Sequence, residues 1–384
     1  MDRKVSILIV SATLAVGIIA FMLLRVWGDL LVAVGHWDPI FLVPAIAFST
    51  AGWWLRGARY RSILGKLGIR AGLGFSTACV LVSQTANLII PARLGDLVRI
   101  FILKHENLSG YPTGISSIVI ERFFDILTVA ILGLLVLPFI PGVPPWVYQV
   151  VVLPLALCGG FVLLLLSLGR LQASYRAIAR ILALVLATAA IGLLVLFTIY
   201  GGPIWISEIL LVTFAIFALI IFVLSKVQAT RRIIARINTL TIRMLGEVKG
   251  ASLSLGSILG LSCLSLVIWA TDVLTTVSVA AMFGAQVSLA VVVLAVVVGN
   301  LFKAVPVTPG GIGTYEAAVA VVLVLGSSLS GAAGQATATL IAVSDHLVKN
   351  VITAVGGVLS IRLLGTWVVD AIRDAFRGKR ETGA

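Results

Sequence analysis

Two groups of charged side chains interrupt the apolar runs of this sequence, and their spacing indicates where chemistry could occur. Arg93, Asp96 and Arg99 recur at three-residue steps, so on one helix they share a face and can pair in succession. A second patch lies in the next apolar run: Glu121, Arg122 and Asp125. Charges within apolar helices are costly, and they usually pair with one another and face a cavity.

The chemistry that these residue types favour is the binding of an anion. The planar guanidinium group of arginine matches the geometry of phosphate, so Arg93, Arg99 and Arg122 are candidate phosphate ligands. The neighbouring acids would neutralise the arginines when the site is empty, or would meet a cationic headgroup. The alternative for the second patch is a structural ion pair that locks helix packing.

A third candidate lies between residues 300 and 317, where helix breakers and polar groups stand between two apolar runs. Pro306 and Pro309 each remove a backbone donor, and three glycines make non-helical dihedral angles cheap, so the chain is predicted to unwind there. Unwound backbone at membrane depth is tolerated only where protein buries it or where it lines a wet cavity. The alternative is a plain loop at the membrane surface. The candidate binding residues of this stretch are Asn300, Lys303, Gly311, Gly313 and Glu316.

The break at Pro91 resembles the break at Pro309. In both, a glycine stands four residues after the proline, and an acid follows that glycine within three residues. An asparagine precedes each proline, Asn87 in the first case and Asn300 in the second. Two broken apolar segments in corresponding halves are typical of transporters built from inverted repeats. The pattern therefore predicts a pair of broken hairpins that form one site, with chance similarity between two loops as the alternative.

The last apolar run carries Asp345 and His346, and Lys349 follows one helical turn after the acid. Asp345 and Lys349 have the favourable i, i+4 order for an ion pair. Asp345 and His346 join the candidate binding residues, with His346 either a proton-responsive group or a packing residue.

Composition defines the class of protein. Apolar residues make up 60% of the chain, charged residues make up 11%, and the mean hydropathy is +1.17. Apolar runs of roughly 18 to 25 residues are long enough to cross a bilayer as helices. The fold class is therefore predicted to be all-α, a polytopic membrane protein with about eight transmembrane helices and two broken re-entrant helical hairpins, which the motif pair suggests are inverted repeats.

The net charge of +13 does not indicate nucleic-acid binding, because the basic residues lie in short segments beside apolar helices, as the positive-inside rule requires. The expected partners are membrane lipids, and a homo-oligomer or a lipid-pathway partner stays open. Three histidines without ligand spacing argue against a metal site, and no phosphate-binding loop for nucleotides is present. We therefore expect no catalytic residues, no metal and no cofactor.

The basic segments also predict the organisation of the chain. Residues 1–225 form a first membrane half with a broken hairpin at 75–104, and residues 251–364 form a second half with a broken hairpin at 286–325. A surface-lying amphipathic linker at 226–250 joins them, and a cytoplasmic tail occupies 365–384. Because the basic segments alternate with loops nearly free of charge, both termini are predicted to be cytoplasmic, in a multi-pass protein of the cell membrane. The basic residues between 56 and 70 are predicted to lie on the cytoplasmic surface.

The ordered set of motifs resembles the lysylphosphatidylglycerol synthase transmembrane-domain family, also called flippase-like domain proteins. The residues that carry the resemblance span about 10 to 362: Asn87, Pro91, Arg93, Gly95, Asp96, Arg99, Glu121, Arg122, Asp125, Pro309, Gly310, Gly311, Gly313 and Glu316. Members of that family are integral membrane proteins linked to moving or handling lipids, among them aminoacylated phospholipids and polyprenyl-phosphate sugars. Family synthases carry a soluble aminoacyl-transfer domain after the membrane part, which is not expected in this chain.

Two further departures accompany the resemblance. The apolar hairpin at 182–225 looks like an addition to the family pattern, and Asp345-His346 stands where an arginine would be expected. The leading hypothesis is a lipid flippase or scramblase, more a transporter than an enzyme, with an anionic headgroup sheltered between the two broken hairpins. The alternative is an accessory or catalytic membrane subunit of a pathway that modifies lipids or builds lipid-linked glycans.

Overall fold

The structure is a computed structural model that describes residues 3–35, 37–90, 94–144, 254–304, 308–327 and 331–365, together with short pieces within 147–158 and 243–250 and at 329 and 367–369. The predicted hairpin at 182–225, most of the linker at 226–250 and most of the tail at 365–384 lie outside the described residues. Within those residues the chain is helical and contains no strand.

Ten α-helices have defined bounds in the described part of the chain. The first six are α1 Arg3–Arg25, α2 Trp27–Val34, α3 Leu42–Lys66, α4 Leu73–Ile89, α5 Asp96–His105 and α6 Tyr111–Val136. The last four are α7 Leu255–Met282, α8 Leu289–Ala304, α9 Thr314–Gly326 and α10 Gly331–Leu364. Both predicted breaks therefore lie between helices, α4 and α5 in one case and α8 and α9 in the other.

Four stretches are long and apolar enough to cross a membrane: Pro39–Lys66, Leu255–Met282, Pro309–Gly326 and Gly331–Leu364. Helix α6 has 26 residues and is also long enough at 1.5 Å per residue, although it carries three charged side chains, Glu121, Arg122 and Asp125. The chain is thus an all-helical membrane protein. The count of about eight spans and the re-entrant course of the hairpins stay predictions.

The order of helices occurs twice. A long helix, a broken pair and a second long helix appear as α3, α4–α5 and α6, and again as α7, α8–α9 and α10. Helices α3 and α7, which begin the two sets, pack against each other antiparallel. Residues later in α3 contact residues earlier in α7, and a residue just before α3 contacts the end of α7. The contacts join Asp38 to Met282, Arg56 to Asp272 and Arg59 to Ser265.

Helix α8 lies at the centre of the largest apolar cluster. Its valines Val291, Val292, Val296, Val297 and Val298 are almost fully buried, and residues from α6, α7, α9 and α10 surround them. A helix that is apolar on every side is expected to be buried in this way. The broken pair that α8 begins is therefore held rigidly inside the helix bundle.

The contact between α8 and α9 depends on Gly299. A Cβ at this position would lie 2.6 Å from Val319 Cγ2 and 2.9 Å from Tyr315 Cε2. We expect Gly299→Val to lower the free energy of unfolding by about 1–3 kcal/mol, since overpacking forces the helices apart. Thermal unfolding in detergent measures this, with Gly260→Ala as the control, because nothing lies within 4 Å of a Cβ at Gly260. Equal effects of the two substitutions would contradict the predicted close packing.

Candidate functional site

Helices α3, α5 and α6 bring six charged side chains together in the bundle, and we call this group the arginine–carboxylate cluster. Its members are Arg59, Asp96, Arg99, Glu121, Arg122 and Asp125. Three positive and three negative groups balance, as expected for charges removed from water. Five of the six were predicted from the spacing of the sequence, and Arg59 was not.

Arg99 lies at the centre of the arginine–carboxylate cluster and is completely buried. Its guanidinium group is 2.5 Å from Glu121 and 3.3 Å from Asp96, and its Cζ lies over the Tyr60 ring, 5.0 Å from the ring centroid. Arg122 is the most exposed member, with 28% of its side chain accessible, and it reaches Asp96 at 3.1 Å and Asp125 at 3.2 Å. Arg99 is thus a structural hub, whereas Arg122 can reach a ligand.

Asp96 also ties the first break to the cluster. It is the first residue of α5, and its Oδ1 accepts hydrogen bonds from Ser83, Gln84 and Asn87 of α4, at 3.0, 3.1 and 3.0 Å. Helix α4 ends because Pro91 disfavours helical dihedral angles at the residue before it, and Ile90 is extended. The carboxylate therefore fixes the chain where it resumes as a helix. Arg93 lies outside the described residues.

A second polar group, which we call the lysine–histidine cluster, joins α8, α9 and α10. Its members are Lys303, Tyr315, Glu316, Asp345, His346 and Lys349. Asp345 is fully buried, and it accepts from Tyr315 Oη at 2.7 Å and pairs with Lys349 at 2.8 Å. Thr276 of α7 donates to the same carboxylate at 2.8 Å. The predicted pair of Asp345 and Lys349 is thus present.

His346 connects the second break to the cavity. Its Nδ1 is 2.8 Å from Glu316 Oε1, and its Nε2 is 3.1 Å from Lys303 Nζ. Glu316 Oε2 accepts from the Gly313 backbone N–H at 2.7 Å, so the same carboxylate caps α9. Gly313 has φ of +87°, which side chains other than glycine rarely adopt.

The two breaks meet in space. A Cβ at Gly310 in the second break would lie 3.1 Å from the Leu88 side chain at the end of α4. A cavity of about 50 Å³ lies at this meeting point, and its lining includes Asn87, Thr308 and Gly311. Lys303 lines this cavity and also a larger one of about 200 Å³ beside it. The end of α4 and the described part of the second break therefore line the smaller cavity together.

The larger cavity lies between the two clusters. Its cationic lining residues are Arg56, Arg59, Arg122, Lys303 and Lys349, and its carboxylates are Glu121, Asp125 and Asp272. Arg56 of α3 pairs with Asp272 of α7 at 2.5 Å across the junction of the two halves. The lining itself carries five cationic groups against three carboxylates, while Asp96 and Asp345 pair with Arg122 and Lys349 from behind it.

The predicted site residues divide into three groups. Those that line a cavity are Asn87, Glu121, Arg122, Asp125, Asn300, Lys303, Gly311 and His346. Those that are buried or set behind the lining and hold it in place are Asp96, Arg99, Gly313, Glu316 and Asp345. Asn300 donates to the Val296 carbonyl oxygen of its own helix at 2.9 Å. Arg93 alone lies outside the described residues.

The prediction that the basic residues between 56 and 70 lie on the cytoplasmic surface was wrong for Arg56 and Arg59, whereas Arg61, Lys66 and Arg70 are exposed. Helix α3 continues through them to Lys66, and the Arg59 side chain is only 1% exposed, paired with Asp125 at 2.6 Å. Arg56 faces the cavity rather than the membrane surface. Sequence alone could not distinguish these arginines from basic residues that only set the orientation of the protein in the membrane, because their partners Asp125 and Asp272 are distant in the chain.

Other functional residues were also missed. Trp269, Asp272, Tyr315 and Lys349 line the larger cavity. One pattern in the sequence could have identified Lys349: the charged residues of α10 have the same i, i+1, i+4 spacing as Glu121, Arg122 and Asp125 of α6. Helices α6 and α10 thus each bring side chains of such a triplet to the larger cavity.

The same groups do not form a metal site. Among the described residues, no three or more His, Cys, Asp or Glu side chains are arranged to hold a metal ion. The carboxylates instead accept from arginine, lysine, histidine and hydroxyl groups, which occupy the positions that a cation would take. The chemistry of the walls is therefore that of charged hydrogen bonding.

Comparison with known proteins identifies the class. The model of the lysylphosphatidylglycerol synthase TM region matches residues 8–183 and 172–357, so the chain belongs to this family of membrane proteins. A similar curated relative is a protein named glycosyltransferase AglD, from Haloferax volcanii, which is 31% identical over 382 residues. The match covers 98% of this chain and 57% of the relative, so the chain spans little more than half of that protein. No solved structure matches the chain.

Proposed function

We propose that this protein moves or handles membrane lipids with an anionic headgroup, as a flippase or scramblase, and that it shelters the headgroup in the cavity between the two broken hairpins. The observation that carries the proposal is the cavity of about 200 Å³ with five cationic and three acidic lining side chains, inside an otherwise apolar helix bundle. Intramembrane charges around a cavity are a common feature of substrate paths.

Buried donors support an anionic ligand. Within the described part of the chain, three nitrogen atoms of lining residues are buried and have no hydrogen-bond partner: Arg59 Nε, Arg122 Nε and Trp269 Nε1. A buried donor without an acceptor costs free energy, so it favours a ligand that supplies one. Phosphate oxygens are acceptors that suit guanidinium and indole N–H groups.

The duplicated order of helices supports movement rather than binding alone. Equivalent spans related by inversion run in opposite directions, as α3 and α7 do. We therefore propose that the halves are inverted repeats, and that the two breaks approach the site from opposite sides of the membrane. Such proteins expose a central site to either side by moving one repeat against the other.

The substrates proposed are anionic or aminoacylated phospholipids or polyprenyl-phosphate-linked lipids. The acyl or prenyl chains would stay in the surrounding bilayer, because the helices carry exposed apolar side chains such as Leu347, Val351 and Val355 of α10. The acids of the arginine–carboxylate cluster would keep the empty site neutral. Both termini are proposed to lie in the cytoplasm.

A second candidate function is favoured by the relative's name. A protein called a glycosyltransferase that shares 31% identity suggests a part in building lipid-linked glycans, as an accessory or catalytic membrane subunit. Because 57% of that relative is matched, its named activity can reside in the part that this chain does not cover. The carboxylates of α6 would then position a lipid-linked substrate or act as acid and base.

Transport in liposomes separates these functions. We expect fluorescent phosphatidylglycerol or a fluorescent polyprenyl phosphate to change leaflets about tenfold faster than fluorescent phosphatidylcholine, since charged hydrogen bonds contribute about 1.5–3 kcal/mol each. Quenching of the outer leaflet with dithionite measures the movement. Lys303→Gln is expected to slow the anionic lipids, whereas Lys104→Gln, on the exposed end of α5, is the control.

Two other results would contradict the proposal. Equal movement of all three lipids in wild-type and Lys303→Gln protein would contradict a headgroup site in the cavity. No movement of any lipid, together with a lipid-linked product that forms only when a glycosyl-transfer partner is added, would favour the second function.

A further inference from the structure

A chain of polar contacts joins the cavity to the second break. It runs from Lys303 Nζ to His346 Nε2 at 3.1 Å, from His346 Nδ1 to Glu316 Oε1 at 2.8 Å, and from Glu316 Oε2 to the Gly313 N–H at 2.7 Å. His346 and Glu316 are almost completely buried, with 1% and 5% of their side chains exposed. Lys303 lines both cavities, so a ligand can reach the first member of the chain.

The partners determine which nitrogen of His346 carries a proton. A lysine ammonium group only donates hydrogen bonds, and a carboxylate only accepts them. His346 therefore accepts at Nε2 and donates from Nδ1, which is the neutral imidazole. A proton on Nε2 would direct an N–H group at the Lys303 ammonium and would place two positive charges 3.1 Å apart. While the Lys303 ammonium group points at the imidazole ring, it thus disfavours a proton on His346 Nε2.

An anionic headgroup changes this balance. An incoming phosphate attracts the Lys303 ammonium, which can turn toward the ligand and leave Nε2 free to take a proton. The resulting imidazolium is stabilised by Glu316 on one side and by the ligand's negative charge on the other. We propose that binding of one anionic headgroup is coupled to uptake of one proton at His346, so that lipid movement is proton-coupled. This inference rests on the proposed function.

The other charged groups around His346 do not replace Lys303 in this role. On its own helix, Asp345 and Lys349 form a pair at 2.8 Å, and from α9 the neutral Tyr315 ring lies 4.5 Å from the imidazole. Tyr315 donates to Asp345, so its hydroxyl is directed away from the imidazole. Asp272 of α7 is paired with Arg56 of α3. Lys303 and Glu316 are therefore the charges that set the protonation of His346.

Through the same contacts, protonation of His346 affects the backbone of the second break. Glu316 holds the Gly313 N–H at the start of α9, in a break whose three glycines have positive φ. An imidazolium attracts the Glu316 carboxylate more strongly than a neutral imidazole does, and it competes with the Gly313 N–H for that carboxylate. Protonation at His346 therefore acts on the backbone of the second break, whose residues Thr308, Gly310 and Gly311 line the smaller cavity.

Calorimetry with the full chain in neutral detergent tests the coupling. Dihexanoyl phosphatidylglycerol is titrated at one pH in two buffers that differ in ionisation enthalpy, and the difference in heat gives the protons taken up. We expect uptake that approaches one proton per lipid in the wild-type protein. Linkage then makes the affinity fall by up to about tenfold for each unit of rising pH.

Three variants make the result specific to His346. His346→Gln keeps an acceptor and a donor but cannot be protonated, so it is expected to bind without proton uptake and without a pH-dependent affinity. His105→Gln, at the exposed end of α5, is the control and should retain full uptake. Lys303→Gln should show reduced uptake, because His346 can take a proton before the lipid arrives.

The outcomes distinguish the coupling from the proposed function. Binding of the lipid by the wild-type protein without proton uptake would overturn the coupling alone, and so would full uptake in folded His346→Gln protein. Full uptake in Lys303→Gln would overturn the part assigned to Lys303. Absence of binding in every buffer would overturn the anionic headgroup site and, with it, this inference.

Discussion

Replacing Arg99 with methionine is expected to lower the free energy of unfolding by about 3–5 kcal/mol, the usual cost of breaking a buried ion pair by removing one partner. The Arg99 side chain is fully buried, and it holds Glu121 at 2.5 Å and Asp96 at 3.3 Å. Methionine fills much of the same volume, so the loss arises not from a cavity but from Glu121, whose other arginine partners, Arg59 and Arg122, are 3.7 Å away. Denaturant unfolding in mixed micelles, followed by tryptophan fluorescence, measures the change.

The control for this prediction is Arg61→Met, which removes an exposed arginine from α3 and should change stability by less than about 0.5 kcal/mol. Adding Glu121→Gln to Arg99→Met should restore part of the loss, since one stranded charge is then absent. If Arg99→Met is no more destabilising than Arg61→Met, then Arg99 is not the hub of the arginine–carboxylate cluster.

Replacing Arg122 with glutamine is expected to weaken the binding of anionic lipid by about 10- to 100-fold, which corresponds to a charged hydrogen bond of about 1.5–3 kcal/mol. Arg122 is the member of the cluster that reaches the cavity, with 28% of its side chain exposed. Its removal leaves each acid with another arginine, because Asp96 keeps Arg99 and Asp125 keeps Arg59. Function should therefore suffer far more than stability.

Initial rates of leaflet exchange for fluorescent phosphatidylglycerol, measured over a range of lipid contents, test this prediction. Arg70→Gln removes an equal charge from an exposed position outside both cavities, and it should leave the rates unchanged. Thermal unfolding must show that both variants are folded. A folded Arg122→Gln protein that moves the anionic lipid at the wild-type rate would remove Arg122 from the proposed path.

The two substitutions test opposite parts of the same cluster. Arg99 is surrounded by acids and tyrosine in the interior, whereas Arg122 is bordered by acids on one side and by the cavity on the other. The contrast also addresses the alternative interpretation of the α6 charges as a purely structural ion pair. A structural role alone would make the two variants differ in stability and not in lipid movement.

Sequence patterns predicted the parts of the site that depend on local structure. Helix periodicity placed Asp96 and Arg99 on one face and joined Arg122 to Asp125, and these pairs are present at 3.3 and 3.2 Å. Proline chemistry located both helix breaks, and the i, i+4 rule gave the pair of Asp345 and Lys349. The family was also recognised from the ordered motifs, and the matched residues 8–183 and 172–357 confirm it.

The sequence by itself determined that this is an all-helical membrane protein, where its helices break and which charges pair within a turn, because these properties follow from composition and from spacings of a few residues. Only the tertiary structure decided that Arg59 is buried in the site and that Arg56 faces its cavity, rather than both lying on a membrane surface. Their partners lie 216 and 66 residues away, and no local rule links them. The same reason applies to the chain from Lys303 through His346 to Glu316, since three helices must pack before those groups meet.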